Sequence, residues 1–409
     1  MQNFLRFIFS FKFFIFISPI ADIVLPATTQ AKFVINIGEN SNIFFFDIIS
    51  IGAFGMYLFF NKPLSISRHI NSLLIIFLIA GIVWNSFSVV GNVLSEPFLR
   101  VFYCSDFLFT GLFLYFIQYD RAEIRYLSIV FLCLLFVLIV ETFLLYFGII
   151  IYESNLLSDT IRRAGTTAGP ATASGYLIFI MMLFVLFFFQ KKRNIILFLS
   201  GLSIFFTLAR GPILAYLLFL SVFALNYIYQ SKLVKKVSYV VALFFIAFLL
   251  EQYLHVTEVY EMRQRNIEQY QNRFGDNTTG RIDLWKFTMR LLSQNGIDNY
   301  ITGIGIGSVP MRRNEISGDN WAVSASHNVY LGVLLDSGII GLSFLIYLWW
   351  IILKRIWDYN KLLVAGLVIF LGTGYMTESH TFSLNYSMFI WLLFYNCHLQ
   401  EDELSKKNR

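Results

Sequence analysis

Apolar runs of about 20 residues recur from one end of this chain to the other, separated by short polar links, and they leave few folds to choose from. A helix that crosses a bilayer needs roughly 20 mostly apolar residues. Such runs fall at about 4–25, 43–60, 70–91, 98–117, 124–150, 171–189, 194–209, 212–229, 237–254, 327–352, 361–377 and 382–399. The pattern predicts an all-α polytopic membrane protein with about twelve transmembrane helices. Only 14% of the residues are charged, against about 25% in soluble domains, so the chain could not cover a water-facing surface of its size. It is also too apolar for disorder. The first run has a second reading as a signal peptide. No small-x-small cleavage pattern follows it, and Arg6 and Lys12 flank or interrupt it, so an uncleaved first span is expected.

The placement of charge agrees with this count. Lys62 and Arg68, Arg121 and Arg125, Lys191 to Arg193, Lys232, Lys235 and Lys236, then Lys354, Arg355 and Lys361 occupy every second connection. The short links 92–97 and 378–381 carry no Lys or Arg. Cytoplasmic loops are the ones rich in Lys and Arg, which puts both termini in the cytoplasm. The net charge of +6 therefore reads as membrane topology, and no nucleic-acid partner is expected. Cys104, Cys133 and Cys397 lie inside apolar runs without ligand spacing and read as small buried hydrophobes.

The expected division is residues 1–254 with spans 1–9, a large extracytoplasmic loop at 255–326, spans 10–12 within 327–399, and a cytoplasmic tail at 400–409. The loop carries eight basic and eight acidic residues in about 72. A loop of that length inside a compact protein is expected to fold and to serve a function. Val259–Arg273 and Asp283–Leu292 read as helices, and Asn295–Asp319 as turns.

Chemistry-bearing residues gather on the extracytoplasmic side. HExxH, Walker A, GxSxG and DxD patterns are absent, the five histidines are scattered, and neither a metal nor another cofactor is expected. Arg162 and Arg163 precede a small-residue run, Gly165 to Gly175, which lets backbones approach closely. Arg210 sits in the turn Thr207-Leu-Ala-Arg-Gly-Pro212, either as an interfacial or ion-paired residue or as an anion site, because a guanidinium fork matches phosphate oxygens. Arg281 and Trp285 stand one turn apart on an expected helix. They form either an amphipathic surface or a phosphate-binding Arg beside an aromatic platform. Gly303, Gly305 and Gly307 could form a backbone nest for anions.

Ser326 is a good N-cap for span 10, which would put His327 in its first turn. The helix dipole there disfavours imidazolium. His327 is then either structural or a general base. Asn328, Gly332 and Asp336 share one helical stripe, and an acid at that depth is a candidate functional group or the packing partner of an Arg.

Together these pieces resemble the O-antigen polymerase and O-antigen ligase family of bacterial envelope glycosyltransferases. The matching residues are Arg163 with its Gly/Thr/Ala run, Thr207-Leu-Ala-Arg210-Gly211, Gly280-Arg281 with Trp285, Gly303–Gly307, and His327-Asn328 followed by Asp336-Ser-Gly338-Ile-Ile-Gly341. They run in family order over about 160–345. The family often has Ser directly before the turn arginine, where this chain has Ala209, and the doublet leaves open which of Arg162 and Arg163 takes the family position.

The resemblance implies a GT-C-like, metal-independent glycosyltransferase. Its donor and acceptor would be glycans linked by diphosphate to undecaprenol, with membrane lipid around them and a chain-length regulator protein as a further partner. Arg210 and Arg281 would stabilise diphosphate charge and His327 would take the acceptor proton. Arg162, Arg163, Trp285, Asn328 and Asp336 would bind substrate. A polymerase is favoured over a ligase, with a lipid-linked oligosaccharide transporter as the reading from another class.

Overall fold

The structure is a computed structural model. It describes residues 2–15, 34–36, 42–60, 78–84, 119–150, 171–230, 281–294, 296–305, 328–377 and 388–397, with parts of 108–114. The described chain is mostly helical. Among the described residues three helices are long and apolar enough to cross a membrane: Ala122–Tyr146, Ala171–Phe188 and Val329–Trp357. Arg210–Asn226, Lys361–Met376 and Met388–Cys397 are shorter apolar helices. The expected span at 237–254, the helix at 259–273 and the tail at 400–409 lie outside the described residues.

The first 15 residues depart from a continuous span. Helix α1 (Gln2–Ile8) and helix α2 (Phe11–Phe14) are separated at Ser10, whose backbone is extended and whose hydroxyl bonds the Phe7 carbonyl at 2.6 Å. A short antiparallel pair, β1 (Val34–Asn36) with β2 (Asn42–Phe44), precedes helix α3 (Phe45–Phe60). The all-α expectation did not include that pair, which brings Ile35 opposite Ile43.

Helix α4 (Arg121–Tyr146) starts where its sequence tells it to. Asp120 accepts from the Glu123 amide at 2.7 Å, and Glu123 accepts from the Asp120 amide at 2.9 Å, a reciprocal cap that satisfies two orphan donors. Lys12 reaches the same Glu123 carboxylate at 2.7 Å and ties α2 to this helix start. Tyr119 donates to the Lys12 carbonyl at 2.6 Å. Burial, reinforced by the Glu123 carboxylate, holds its phenol well above the usual tyrosine range.

Helix α5 (Ala171–Phe188) runs through the centre. Phe184 meets Phe131 of α4 edge-on at 5.4 Å, and Phe131 meets Phe389 at 4.7 Å. A 3-10 turn at Gln190–Lys192 leads into α6 (Arg193–Phe206), which is followed by α7 (Arg210–Gln230). Gly201 leaves room for the ring of Tyr216, whose hydroxyl bonds the Leu197 carbonyl at 2.9 Å. Helices α8 (Arg281–Gln294) and α9 (Ile297–Thr302) come from the long loop. Helices α10 (Val329–Trp357), α11 (Lys361–Thr377) and α12 (Met388–Cys397) close the bundle.

Helix α10 is one apolar run but not one rod. Gly338 has φ 65° and ψ −169°, which no α-helix accommodates. In a straight helix Tyr330 and Trp349 would stand about 28 Å apart. Both rings instead lie against the same Tyr375 ring of α11, at 5.6 and 5.7 Å. A methyl on Gly341 would also come within 3.6 Å of Val333, eight residues earlier. The chain therefore doubles back at Gly338, with an N-terminal arm 329–337 and a C-terminal arm 339–357. The second arm alone covers about 28 Å at 1.5 Å per residue, close to a bilayer core. The first returns along the last turns of α11, where Tyr330 donates to the Leu371 carbonyl at 3.1 Å.

Candidate functional site

At one end of the bundle two of the candidate segments, the small-residue run and the Arg210 turn, come together. The starts of α5 and α7 meet there. A Cβ on Gly175 would lie 2.7 Å from the Pro212 ring and 3.3 Å from the Thr207 hydroxyl, so the small-residue run ends in the close approach its composition predicts. Tyr176, the next residue, faces Phe370 at 5.9 Å. Phe370 meets Tyr375, and Tyr375 meets Tyr330 of the returning arm. Through these rings the α5 start, the α7 start, the end of α11 and the N-terminal arm of α10 share a level.

The α6–α7 turn is built to present one cation. Thr207 donates its hydroxyl to the Ile204 carbonyl at 2.7 Å and accepts the Ala209 amide at 3.3 Å. Leu208 takes a positive φ of 51°, uncommon for a branched side chain and affordable only where packing imposes it. Ala209 is fully buried and Arg210, the next residue, is exposed. Ala209 thus occupies a closed space, and the arginine beside it is exposed.

The second component is the break in α10. A helix that ends leaves its last carbonyls without intrahelical partners, and an unpaired buried carbonyl costs about 1–3 kcal/mol. Here each of three is met from elsewhere. Ile304 donates its amide to Leu335 at 2.7 Å, Gly305 donates to Asp336 at 3.2 Å, and the indole N–H of Trp84 donates to Ser337 at 3.1 Å. Gly303 and Gly338 make this docking possible. A Cβ on Gly303, at φ 80°, would lie 2.5 Å from the Asp336 carbonyl carbon and oxygen. One on Gly338 would meet the Ile301 carbonyl and, at 2.6 Å, the Gly303 amide. Leu291 and Leu292 of α8 pack with Ile304 and Leu335 to seal the joint.

This geometry corrects three expectations. The glycine run is no open anion nest over 303–305, because the three amides donate to Asn299, Leu335 and Asp336. The stretch read as turns after Asn295 holds the short helix α9, set between Gly296 and Gly303, both with positive φ. The N-cap of α10 also moves. Asn328, not Ser326, caps it, with its side-chain oxygen accepting the Leu331 amide at 3.1 Å. The helix therefore begins at Val329, and His327 precedes the cap instead of sitting in the first turn.

The other candidates divide by position. Asn328 is buried and Asp336 is half-buried on the returning arm, with its carbonyl engaged by the loop. Trp285 is half-buried on α8, which begins at Arg281, two residues before the expected Asp283, and the Arg281 side chain is outside what the structure describes. His327, Arg162 and Arg163 lie outside the described residues. Among the described residues no group of three or more His, Cys, Asp or Glu is placed to hold a metal. Sequence reasoning missed Trp84, which carries no local mark of its role. Gly338 carries no stronger mark, since an isolated glycine inside an apolar helical run is tolerated without a break.

Residues 195–346 match the family model Wzy_C, O-antigen ligase. That region takes in Arg210, Arg281, Trp285, His327, Asn328 and Asp336, and it supports an O-antigen ligase or polymerase type of membrane glycosyltransferase. No curated protein matches the chain. A solved chain described under structural coordination of polymerization and crosslinking by a peptidoglycan synthase complex is 14% identical, covering 81% of this chain and 98% of that one with a TM-score of 0.38.

Proposed function

We propose that the protein is an O-antigen polymerase, which joins undecaprenyl-diphosphate-linked oligosaccharide repeat units at the periplasmic face of the inner membrane. The observation that supports a transferase of the polymerase or ligase type is the family match over 195–346, which contains the turn arginine, the α8 arginine and His327-Asn328 ahead of the broken helix; the Gly303–Gly307 run before His327, which resembles polymerase members, tips the reading to the polymerase.

Arg210, exposed at the α7 start, suits the diphosphate of a lipid-linked donor, as a guanidinium makes paired charge-assisted bonds to phosphate oxygens. Arg281 would add a second cation from α8, with Trp285 as a platform for a sugar ring. In the reaction an acceptor hydroxyl attacks the anomeric carbon, the bond to the diphosphate oxygen breaks, and the electron pair leaves on the undecaprenyl diphosphate. The arginines stabilise that developing charge. His327 takes the hydroxyl proton, a role worth about 10²–10⁴-fold. Direct attack inverts the anomeric configuration. Such a leaving group needs no metal.

The ligase reading is favoured by the name of the matching family. It shares the donor half and differs in the acceptor, lipid A–core. The deciding experiment deletes the gene in its host and separates surface lipopolysaccharide on a gel, with complementation by wild type and His327→Ala. Core capped by one repeat unit and no ladder is the expected result. Bare core with long chains stranded on the lipid carrier would make the protein a ligase. An unchanged ladder would sink both readings, and restoration by His327→Ala would remove the proposed base.

A further inference from the structure

The functional reading gives the N-terminal arm of α10 the task of holding the His-Asn pair in place. An arm of nine residues has little helical stability of its own, so its direction depends on what anchors its two ends. At its start, Tyr330 bonds the Leu371 carbonyl and stacks near Tyr375. At its end, three carbonyls at the break are held from outside the helix. Two of those bonds come from the neighbouring glycine loop, 31 residues earlier in the chain (335 minus 304, 336 minus 305). The third comes from Trp84, 253 residues away in sequence.

We infer that Trp84 is a positioning residue for the proposed transferase site: its indole N–H, bonded to the Ser337 carbonyl, fixes the angle at which the broken helix returns toward the bundle. This rests on the functional reading above. Ser337 is buried at 3% exposure, so its carbonyl has little water to turn to when the indole is lost. Trp84 is half-buried in the helical stretch 78–84, and its bond couples the first part of the chain to the arm.

A bond at this position acts on geometry more than on donor affinity. The diphosphate would be held by the arginines, while the arm would set the reach of the base to the acceptor hydroxyl. A displacement of about 1 Å in such a group costs on the order of 10²-fold in rate. Loss of an interaction expressed only in the transition state lowers kcat and leaves KM in place.

The test uses full-length protein in nanodiscs with lipid-linked repeat units extracted from the deletion strain. Trp84→Phe keeps the ring and removes the N–H. Trp84→His removes volume and keeps an N–H. We expect Trp84→Phe to lower kcat by roughly tenfold or more with KM within about twofold. Amide exchange over 329–337 should quicken in the same sample, and Trp84→His should recover most of both. If packing alone matters the order reverses, with Phe above His, and the inference is overturned. It is equally overturned if Trp84→Phe matches wild type in kcat or in arm exchange. Should wild type transfer no sugar at all, the functional reading falls by itself. Arm exchange then still decides: faster exchange in Trp84→Phe that His reverses keeps the clamp, and unchanged exchange ends it.

Discussion

Helices α5 and α10 are both long, apolar and central, and they are held by opposite means. In α5, 78% of the most apolar window is buried, against 33% in α10. Helix α5 is held by side chains along its length: Phe179 on Phe219, Phe184 on Phe131 and Phe389, Tyr176 on Phe370. Helix α10 breaks its own ladder at Gly338 and is fixed there by backbone and indole donors from two other segments. Dispersion contacts are individually small and tolerate repacking. A bond into a break depends on the directed meeting of a donor and an acceptor, and is less tolerant of displacement. The rigid part of this protein is thus the helix with many weak contacts, and the part shaped for a task is the one with few specific contacts.

The largest expected effect is at Gly338. Alanine there must hold a positive φ and place its methyl against the Ile301 carbonyl and the Gly303 amide. We expect Gly338→Ala to cost roughly 3 kcal/mol at the joint. The loss should appear as early exposure of 297–305 to protease and a missing polysaccharide ladder. An intact ladder with an unchanged cleavage pattern would show that the glycine loop does not hold the break.

Gly175→Ala comes next and probes the α5 side. Its methyl would lie 2.7 Å from Pro212, a ring on a helix that can shift. Overpacking of this kind costs about 1–3 kcal/mol. A lower melting temperature in detergent with normal protease resistance of 297–305 is expected. If the two glycine variants gave the same cleavage pattern, the distinction between the two helices would fail.

Asn328→Ala removes the cap of the returning arm. Caps contribute about 1 kcal/mol, and Asn328→Asp or Asn328→Ser should restore most of it. A substrate contact made by the amide itself would not be rescued by a carboxylate, so the pair of variants separates capping from binding. The readout is arm exchange alongside transfer activity.

How much of this was visible in the sequence follows the same division. The start of α5 and the extent of α11 follow from small residues and apolar length, and α4 and α8 begin within three residues of the expected 124 and 283, all from local signals. The doubling back of α10 is not local. Apolar residues continue across Gly338 at Ile339 and Ile340, and Gly332 and Gly341 offer equally good places to bend. What selects Gly338 is the arrival of Gly303 from another element. Trp84 was unreadable for the same reason, since an indole in an apolar run looks like any other packed ring. The cap shifted from Ser326 to Asn328 because both are good capping residues, and the folded-back arm starts where tertiary contact begins, at Val329 in the core.

The smallest effect has the opposite sign. Gly372, on the exposed face of α11, has nothing within 4 Å of an added Cβ and an ordinary helical backbone. Alanine should stabilise that helix by up to about 0.5–1 kcal/mol, because glycine loses more conformational freedom in a helix. Its nearest chain neighbours include Leu371, whose carbonyl accepts from Tyr330. If Gly372→Ala raises the melting temperature and leaves transfer untouched, α11 is a passive wall for the returning arm. If it raises stability and slows transfer, α11 must flex with that arm during turnover, and the contrast between a rigid interior and a shaped break extends one helix further than the contacts alone indicate.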